Sequence, residues 1–293
     1  MQKFIDDLFN AMSERFDGRI IRATVSKPNI GEVTAFSLKK EGSVCAPTIY
    51  AESYYDDYKI GYATVEEIAE KILATAEASP NPSLDINFDE LTDWEKVKDK
   101  VRPMVISTIG NEKYLEDLAY SKTKTDLAII YQLEFVSELG FQCIKIRKEA
   151  MKVYGITLTT LKNTAFKNLK EHVSFMNMAQ VIASIMGIPE DEPMEQIPMW
   201  VLSNDTKQYG AAAIFLPSAM KEVTEQLKTN KLYILPSSIH EVIILNAEDT
   251  DTNGKTEELL QMVKEVNATT VSPKDKLSDH VYYYDGKNLT IAE

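Results

Sequence analysis

In the stretch YILPSSIHEVIIL, residues 233–245, two hydroxyls (Ser237, Ser238), an imidazole (His240) and a carboxylate (Glu241) fall within five residues. These are the parts of an acyl-transfer site, in which a histidine takes the proton of a serine and a carboxylate orients the ring. Such chemistry needs the groups close in space and aimed at a substrate, and adjacency in sequence supplies neither. No GxSxG elbow surrounds either serine, and position 244 is isoleucine, so no HExxH follows His240. The run has a second reading that accounts for every residue. Leu232–Leu235 and Val242–Leu245 are continuous apolar runs of the kind found in strands covered on both faces. Pro236-Ser237-Ser238 between them is turn chemistry, because proline presets one dihedral and serine hydroxyls bond back to the backbone. Catalysis by Ser238, His240 and Glu241 stands as the weaker of the two.

Asp249-Thr250-Asp251-Thr252-Asn253-Gly254 matches the first half of an EF-hand loop, with oxygen ligands Asp249, Asp251 and Asn253 at alternate positions and a glycine for the sharp turn. The twelfth position, where a bidentate glutamate belongs, is Leu260, and the preceding VIILN reads as a strand where a helix should enter. A solvated acidic turn before a helix is the expectation, against a non-standard oxygen site for calcium completed by Glu257 or Glu258. Gly254-Lys255-Thr256 resembles the end of a phosphate-binding loop, but Asp249 occupies the position of the first glycine. His172 and His280 each lack a second histidine at metal-ligand spacing. No cofactor is expected. The two cysteines, Cys45 and Cys143, have neither CxxC nor Cys/His spacing, which points to reduced thiols. Tyr54, Tyr55, Tyr58 and Tyr62 form the most distinctive aromatic group. Tyrosine suits binding surfaces, yet Tyr54, Tyr58 and Tyr62 also have the spacing of one packed helical face, and packing is the preferred reading.

The elements that must position these groups read as follows. Phe4, Ile5, Leu8, Phe9, Met12 and Phe16 share a face of an opening helix over 1–16, ended by Asp17-Gly18. IIRATV, EVTAFSL and SVCAPTIY read as strands, and Thr64 with Glu67 makes a capping box before a helix running to Ala78. Two prolines in SPNPSLDINFDELTD, residues 79–93, mark a linker placed at 81–95, between an N-terminal unit over 1–80 and a larger C-terminal unit over 96–293. In the latter, RPMVISTI, TDLAIIYQLEFV and FQCIKI read as strands, the last two pairing across Gly140, with a short helix near 112–118. Residues 158–185 read as two helical pieces, His172 included, with Leu161, Ala165, Leu169, Met178, Val181 and Ile182 facing inward. MWVLSN, AAAIFL, LYIL, EVIIL and VYYY read as strands, with helices over 218–228 and 256–266. Helices gathered on mostly antiparallel sheets make the class α+β.

Composition narrows the function. The 293 residues hold 45 acidic and 32 basic side chains, a net charge of −13 that repels phosphate backbones and anionic membranes. Asp6 and Asp7 interrupt the N-terminal apolar run where a signal peptide needs continuity, and no run approaches ~18 apolar residues. A cytoplasmic protein that binds neither nucleic acid nor membrane is expected.

Ala46-Pro47-Thr48-Ile49-Tyr50 with Tyr58 and Gly61, Gly155-Ile156-Thr157 with Ala165 and Asn168, Gly210-Ala211-Ala212 before Pro217, and YILPSSIHEV together resemble an uncharacterised family of low-GC Gram-positive bacteria. The resemblance spans nearly the whole chain. It implies an intracellular protein often found among mobile-element genes, and it implies no activity. The residues themselves leave three functions: a non-enzymatic binding or regulatory module working through an unidentified protein partner, which leads; an acidic decoy of a nuclease or defence enzyme, suggested by the net charge and by Asp89-Glu90 and Glu190-Asp191-Glu192; and a hydrolase or metal-dependent enzyme centred on His240 or the Asp249–Asn253 loop.

Overall fold

The computed structural model describes residues 1–42, 46–78, 88–137, 140–189, 195–249 and 255–292. Cys45, residues 79–87, the acids at 190–192 and the loop residues Asp251 and Asn253 lie outside them. The chain divides into two units, Met1–Asn87 and Phe88–Glu293.

In the first unit, α1 (Gln2–Ser13) buries Phe4, Ile5, Leu8 and Met12, the stripe that its apolar spacing predicts. β1 (Arg19–Lys27) and β2 (Gly31–Lys39) form a hairpin in register from Arg19↔Lys39 to Lys27↔Gly31. Gly18 admits the chain to it: a Cβ there would sit 2.6 Å from the Lys39 carbonyl oxygen and 2.7 Å from the Phe16 ring. The third strand, β3, is Thr48–Tyr50; Ala46 and Pro47 of the expected SVCAPTIY run lie outside it, and residues 43–45 are not among the described residues. α2 (Tyr55–Lys59) leads to α3 (Val65–Ala78). The Thr64–Glu67 capping box is formed, with the Thr64 N–H donating to Glu67 Oε2 at 2.8 Å and the Glu67 N–H to Thr64 Oγ1 at 3.2 Å. Ile68, Ile72 and Leu73 of α3 close the core against α1, Phe36 and Leu38.

The second unit opens with a 3₁₀ helix over Phe88–Thr92, followed by α4 (Trp94–Val97), and carries two further antiparallel sheets among the described residues. In one, the long β6 (Leu127–Ser137) pairs with β4 (Val101–Ser107) on one side and with β5 (Tyr120–Lys122) and β7 (Gly140–Lys145) end to end on the other. α5 (Glu112–Leu115) joins β4 to β5; α6 (Lys148–Tyr154) and α7 (Leu158–Lys170) follow β7. The other sheet has the order β13-β12-β10-β11-β9-β8. Its strands are β8 (Val173–Asn177), β9 (Trp200–Asn204), β10 (Leu232–Leu235), β11 (Val242–Asn246), β12 (Tyr282–Tyr284) and β13 (Leu289–Ile291). Helices α8 (Met178–Met186), α9 (Pro217–Leu227) and α10 (Thr256–Thr269) connect them.

β10 and β11 are covered on both faces, for a reason the two-residue period of a strand makes plain. Leu232, Ile234, Val242 and Ile244 face the main core with α7 and α9, while Tyr233, Leu235 and Leu245 face Leu259 and Val263 of α10. Both units are thus α+β.

Three expectations are corrected. AAAIFL is not a strand: Gly210–Phe215 is a buried 3₁₀ helix, its alanines small enough to press the turn against β9. A short buried apolar run has no periodicity that separates the two. Residues 173–177 are strand β8, so His172 lies between α7 and β8 and not inside a helix. α8 turns Ala179 and Ala183 inward; Ile182, assigned to the core from its spacing, is exposed.

Candidate functional site

Residues 236–241 connect β10 to β11, and the side chains of Ser238, His240 and Glu241 each have a defined partner. Ser238 Oγ donates to Glu241 Oε1 at 2.7 Å and accepts the His240 backbone N–H at 2.9 Å; the Ser238 N–H donates to the Glu241 carbonyl at 3.2 Å. The hydroxyl therefore sends its proton to the carboxylate and never meets the imidazole. Ser237 contributes its N–H to the Leu235 carbonyl at 3.0 Å.

The imidazole of His240 faces another way. Its Nδ1 accepts the Tyr209 backbone N–H at 3.1 Å, its Nε2 lies 3.5 Å from Asp275 Oδ1, and its ring stacks on Tyr209 with centroids 5.2 Å apart. A ring nitrogen that accepts an N–H carries no proton, so the neutral tautomer holds its hydrogen on Nε2, toward Asp275. The His240 carbonyl accepts from Ser203 Oγ at 2.8 Å. Gly210 is required here: a Cβ would stand 2.5 Å from the Asn204 nitrogen, 2.5 Å from Ser203 Oγ and 2.8 Å from the His240 carbonyl oxygen.

Tyr209, the residue His240 holds, reaches the β7 sheet. Phe141, Cys143 and Lys145 alternate onto one face of β7 and meet it: the Phe141 ring at 5.8 Å, Cys143 Sγ at 4.0 Å from the phenol oxygen, and Lys145 Nζ at 4.6 Å from the ring centre. Lys145 also bonds Gln132 and lies 3.6 Å from Cys143 Sγ. Burial, followed by the neighbouring Cys143, pushes the Tyr209 phenol far above its ordinary range. The same two causes raise Tyr114 to about 12. Burial also raises Glu134, against the opposing bond from Gln132 at 2.7 Å. The Ser–His–Glu run is thus a tie between the two sheets of the second unit, with no serine–imidazole pair for nucleophilic attack.

A serine, a histidine and an aspartate do converge elsewhere, from positions that local spacing leaves unremarked. Asp126, at the entry to β6 with a side chain only 8% exposed, accepts from Ser278 Oγ at 2.9 Å and from the Tyr282 hydroxyl at 2.8 Å; His280 Nδ1 lies 3.1 Å from it. Ser278 Oγ approaches the same Nδ1 at 3.4 Å. In a relay the serine and the aspartate need opposite ring nitrogens; here both crowd one, and the carboxylate takes the serine's proton. This is a buried carboxylate satisfied by three groups, clamping β6 to the segment that leads into β12. A charged residue at the mouth of a buried apolar strand is the one sequence signal that could have found it.

The other nominated residues are placed as follows. Asp249 follows strand β11 and donates its N–H to the Asn246 carbonyl at 3.3 Å. Among the described residues no group of three His, Cys, Asp or Glu side chains is arranged to hold a metal ion. His172 Nδ1 lies 2.6 Å from Asp205 Oδ2 at a half-exposed strand end. Tyr54, Tyr55 and Tyr58 pack on the first unit's core, with Tyr58 stacked on Phe4 at 4.8 Å, whereas Tyr62 is 80% exposed. Its neighbour Ile60 is 76% exposed. Gly61 and Ala63 of the same loop line a cleft of about 550 Å³ with Asp7, Glu14, Tyr58 and Glu66. No helix among the described residues is long and apolar enough to cross a membrane.

No curated protein and no solved structure matches the chain. It belongs to a family of unknown function, DUF5688, which matches it over residues 1–286.

Proposed function

We propose that the protein is a non-enzymatic, cytoplasmic binding module that acts by contact with another protein. The observation that carries this reading is the Ile60–Tyr62 loop. Two large apolar side chains stand in solvent beside a cleft edged by Asp7, Glu14 and Glu66, carboxylates with no ion-pair partner among the described residues. Tyrosine and isoleucine exposed together beside unpaired charge make a contact surface for a partner that offers an apolar patch ringed by basic side chains. The Ser238 hydroxyl, the His240 imidazole and the Glu241 carboxylate support it from the other side, since these three are engaged in holding backbone and neighbouring side chains. The acidic-decoy alternative gains no such support. Several acids are instead paired with bases, as in Arg22–Asp6 at 2.7 Å and Lys231–Glu248 at 3.1 Å, whereas imitation of a phosphate backbone needs long rows of unpaired carboxylates.

The test is affinity capture with the tagged full chain in a lysate of its native host, beside the double variant Ile60→Ser, Tyr62→Ser. We expect one stoichiometric protein retained by the wild type and lost from the variant at unchanged melting temperature. Hydrolytic turnover that disappears in His240→Ala at unchanged stability would overturn the reading.

A further inference from the structure

We infer that the protein self-associates through the outer edge of β8 and the apolar stripe of α8, with a second copy of the chain as the occupant. β8 is the outermost strand of its sheet, with β9 its only neighbour among the described residues. Edge strands leave a row of N–H and C=O groups ready to pair, and soluble proteins blunt them with charge, proline, bulges or very short length. The opposite edge follows that rule by its length: β13 has three residues, against five in β8. Within its five residues β8, sequence VSFMN, holds no charge and no proline.

The helix joined to it carries a matching feature. α8 begins at Met178, directly after the last residue of β8, and Asn177 locks the junction. Its Oδ1 accepts the Ala179 N–H at 3.0 Å, its N–H donates to Gln180 Oε1 at 3.0 Å, and its Nδ2 donates to the Ile197 carbonyl at 2.7 Å. Ala179 and Ala183 are buried, and the solvent side presents Ile182, Ile185 and Met186, spaced i, i+3, i+4 on one stripe. Ile185 is 77% and Met186 69% exposed. Strand edge and apolar stripe are therefore rigidly coupled.

Charge selects the occupant. Residues 173–189 contain no Asp, Glu, Lys, Arg or His, in a chain that is 26% charged with a net charge of −13. Two copies repel each other at long range, and this neutral stretch lets them touch without placing like charges together. A partner chosen by charge would instead seek the carboxylates elsewhere on the surface. A two-fold axis also suits the geometry, because an antiparallel edge pairs with its own copy residue i to residue j and j to i, while the two stripes face each other.

The experiment is sedimentation velocity on the full chain across a concentration series, in low and high sodium chloride, with hydrogen exchange on the same samples. The wild type is expected to reach twice the chain mass, to associate as tightly or more tightly in high salt because screening relieves the repulsion of net charge, and to gain amide protection over 173–186 as it does so. The double variant Ile185→Asp, Met186→Asp, at positions exposed enough to leave the fold and melting temperature intact, is expected to stay monomeric, while Ile60→Asp dimerises like the wild type. A monomer at every concentration, a dimer that survives the α8 variant, or a dimer weakened by salt overturns the inference; capture of a different protein by a monomeric wild type through α8 does so equally.

Discussion

Glu134 shows how much a single residue's surroundings matter. Its carboxyl titrates above the ordinary value of 4.5, chiefly through burial, which outweighs the bond from Gln132 and the attraction of Arg102, Lys145 and His172. A raised folded-state value means the folded protein holds this proton more firmly than the unfolded chain. The resulting stability is complete below 4.5 and is lost as pH rises through the folded-state value. Glu134→Gln keeps an oxygen for the Gln132 donor and removes the ionisation. We therefore expect the variant to melt above the wild type at neutral pH and the gap to close in buffers below 4.5, measured by thermal melts across a pH series. At this scale the sequence was legible for turn and cap residues, such as Thr64, Glu67 and Ser238, whose partners lie within a few positions. It was silent on Asp126, because its partners Ser278, His280 and Tyr282 are 152 to 156 residues away.

Among elements, β10 and β11 with their connection separate packing from polar ties. Ile234 and Val242 face the main core and are fully buried, so Ile234→Ala is expected to cost about 2–5 kcal/mol and Val242→Ala to fall at the lower end of that range, as transfer energy plus a cavity. Ser238→Ala loses a local hydrogen bond worth about 1 kcal/mol. His240→Ala is expected to fall between, at about 1–3 kcal/mol, since it strands the Tyr209 N–H and removes the ring stacked on Tyr209. Chemical denaturation of the four variants checks that order; a His240→Ala protein as stable as the wild type would contradict the sheet-to-sheet tie. Continuous apolar runs and turn residues made these strands legible. The same reasoning failed at AAAIFL, where an apolar run of strand length is a 3₁₀ helix because Gly210 lets the turn approach Asn204 and His240 too closely for any side chain.

For the whole molecule, each unit has its own core. Phe4, Leu8, Met12, Phe36 and Ile72 belong to one, and Val105, Ile130, Leu161, Ile234 and Ile244 to the other. A fragment of residues 88–293, which contains two sheets with helices on both faces of the larger, is expected to fold alone and melt in one cooperative transition. A non-cooperative melt, or dye binding typical of loose packing, would show that it needs residues 1–87.

The sequence by itself determined the α+β class, the amphipathic faces of α1 and α3, the capping box and the β10–β11 pair. All of these follow from periodicity or from contacts between near neighbours, where chain entropy allows few alternatives. Tertiary structure alone decided that Ser238 and His240 turn away from each other and that Tyr62 leaves the tyrosine cluster for solvent. It alone exposed the face of α8 that carries Ile182 and made β8 the edge strand of its sheet. The physical reason is common to all four: a side chain's neighbours across a sheet or helix interface are set by long-range packing, and an apolar residue reads the same in sequence whether its face meets a core or open water.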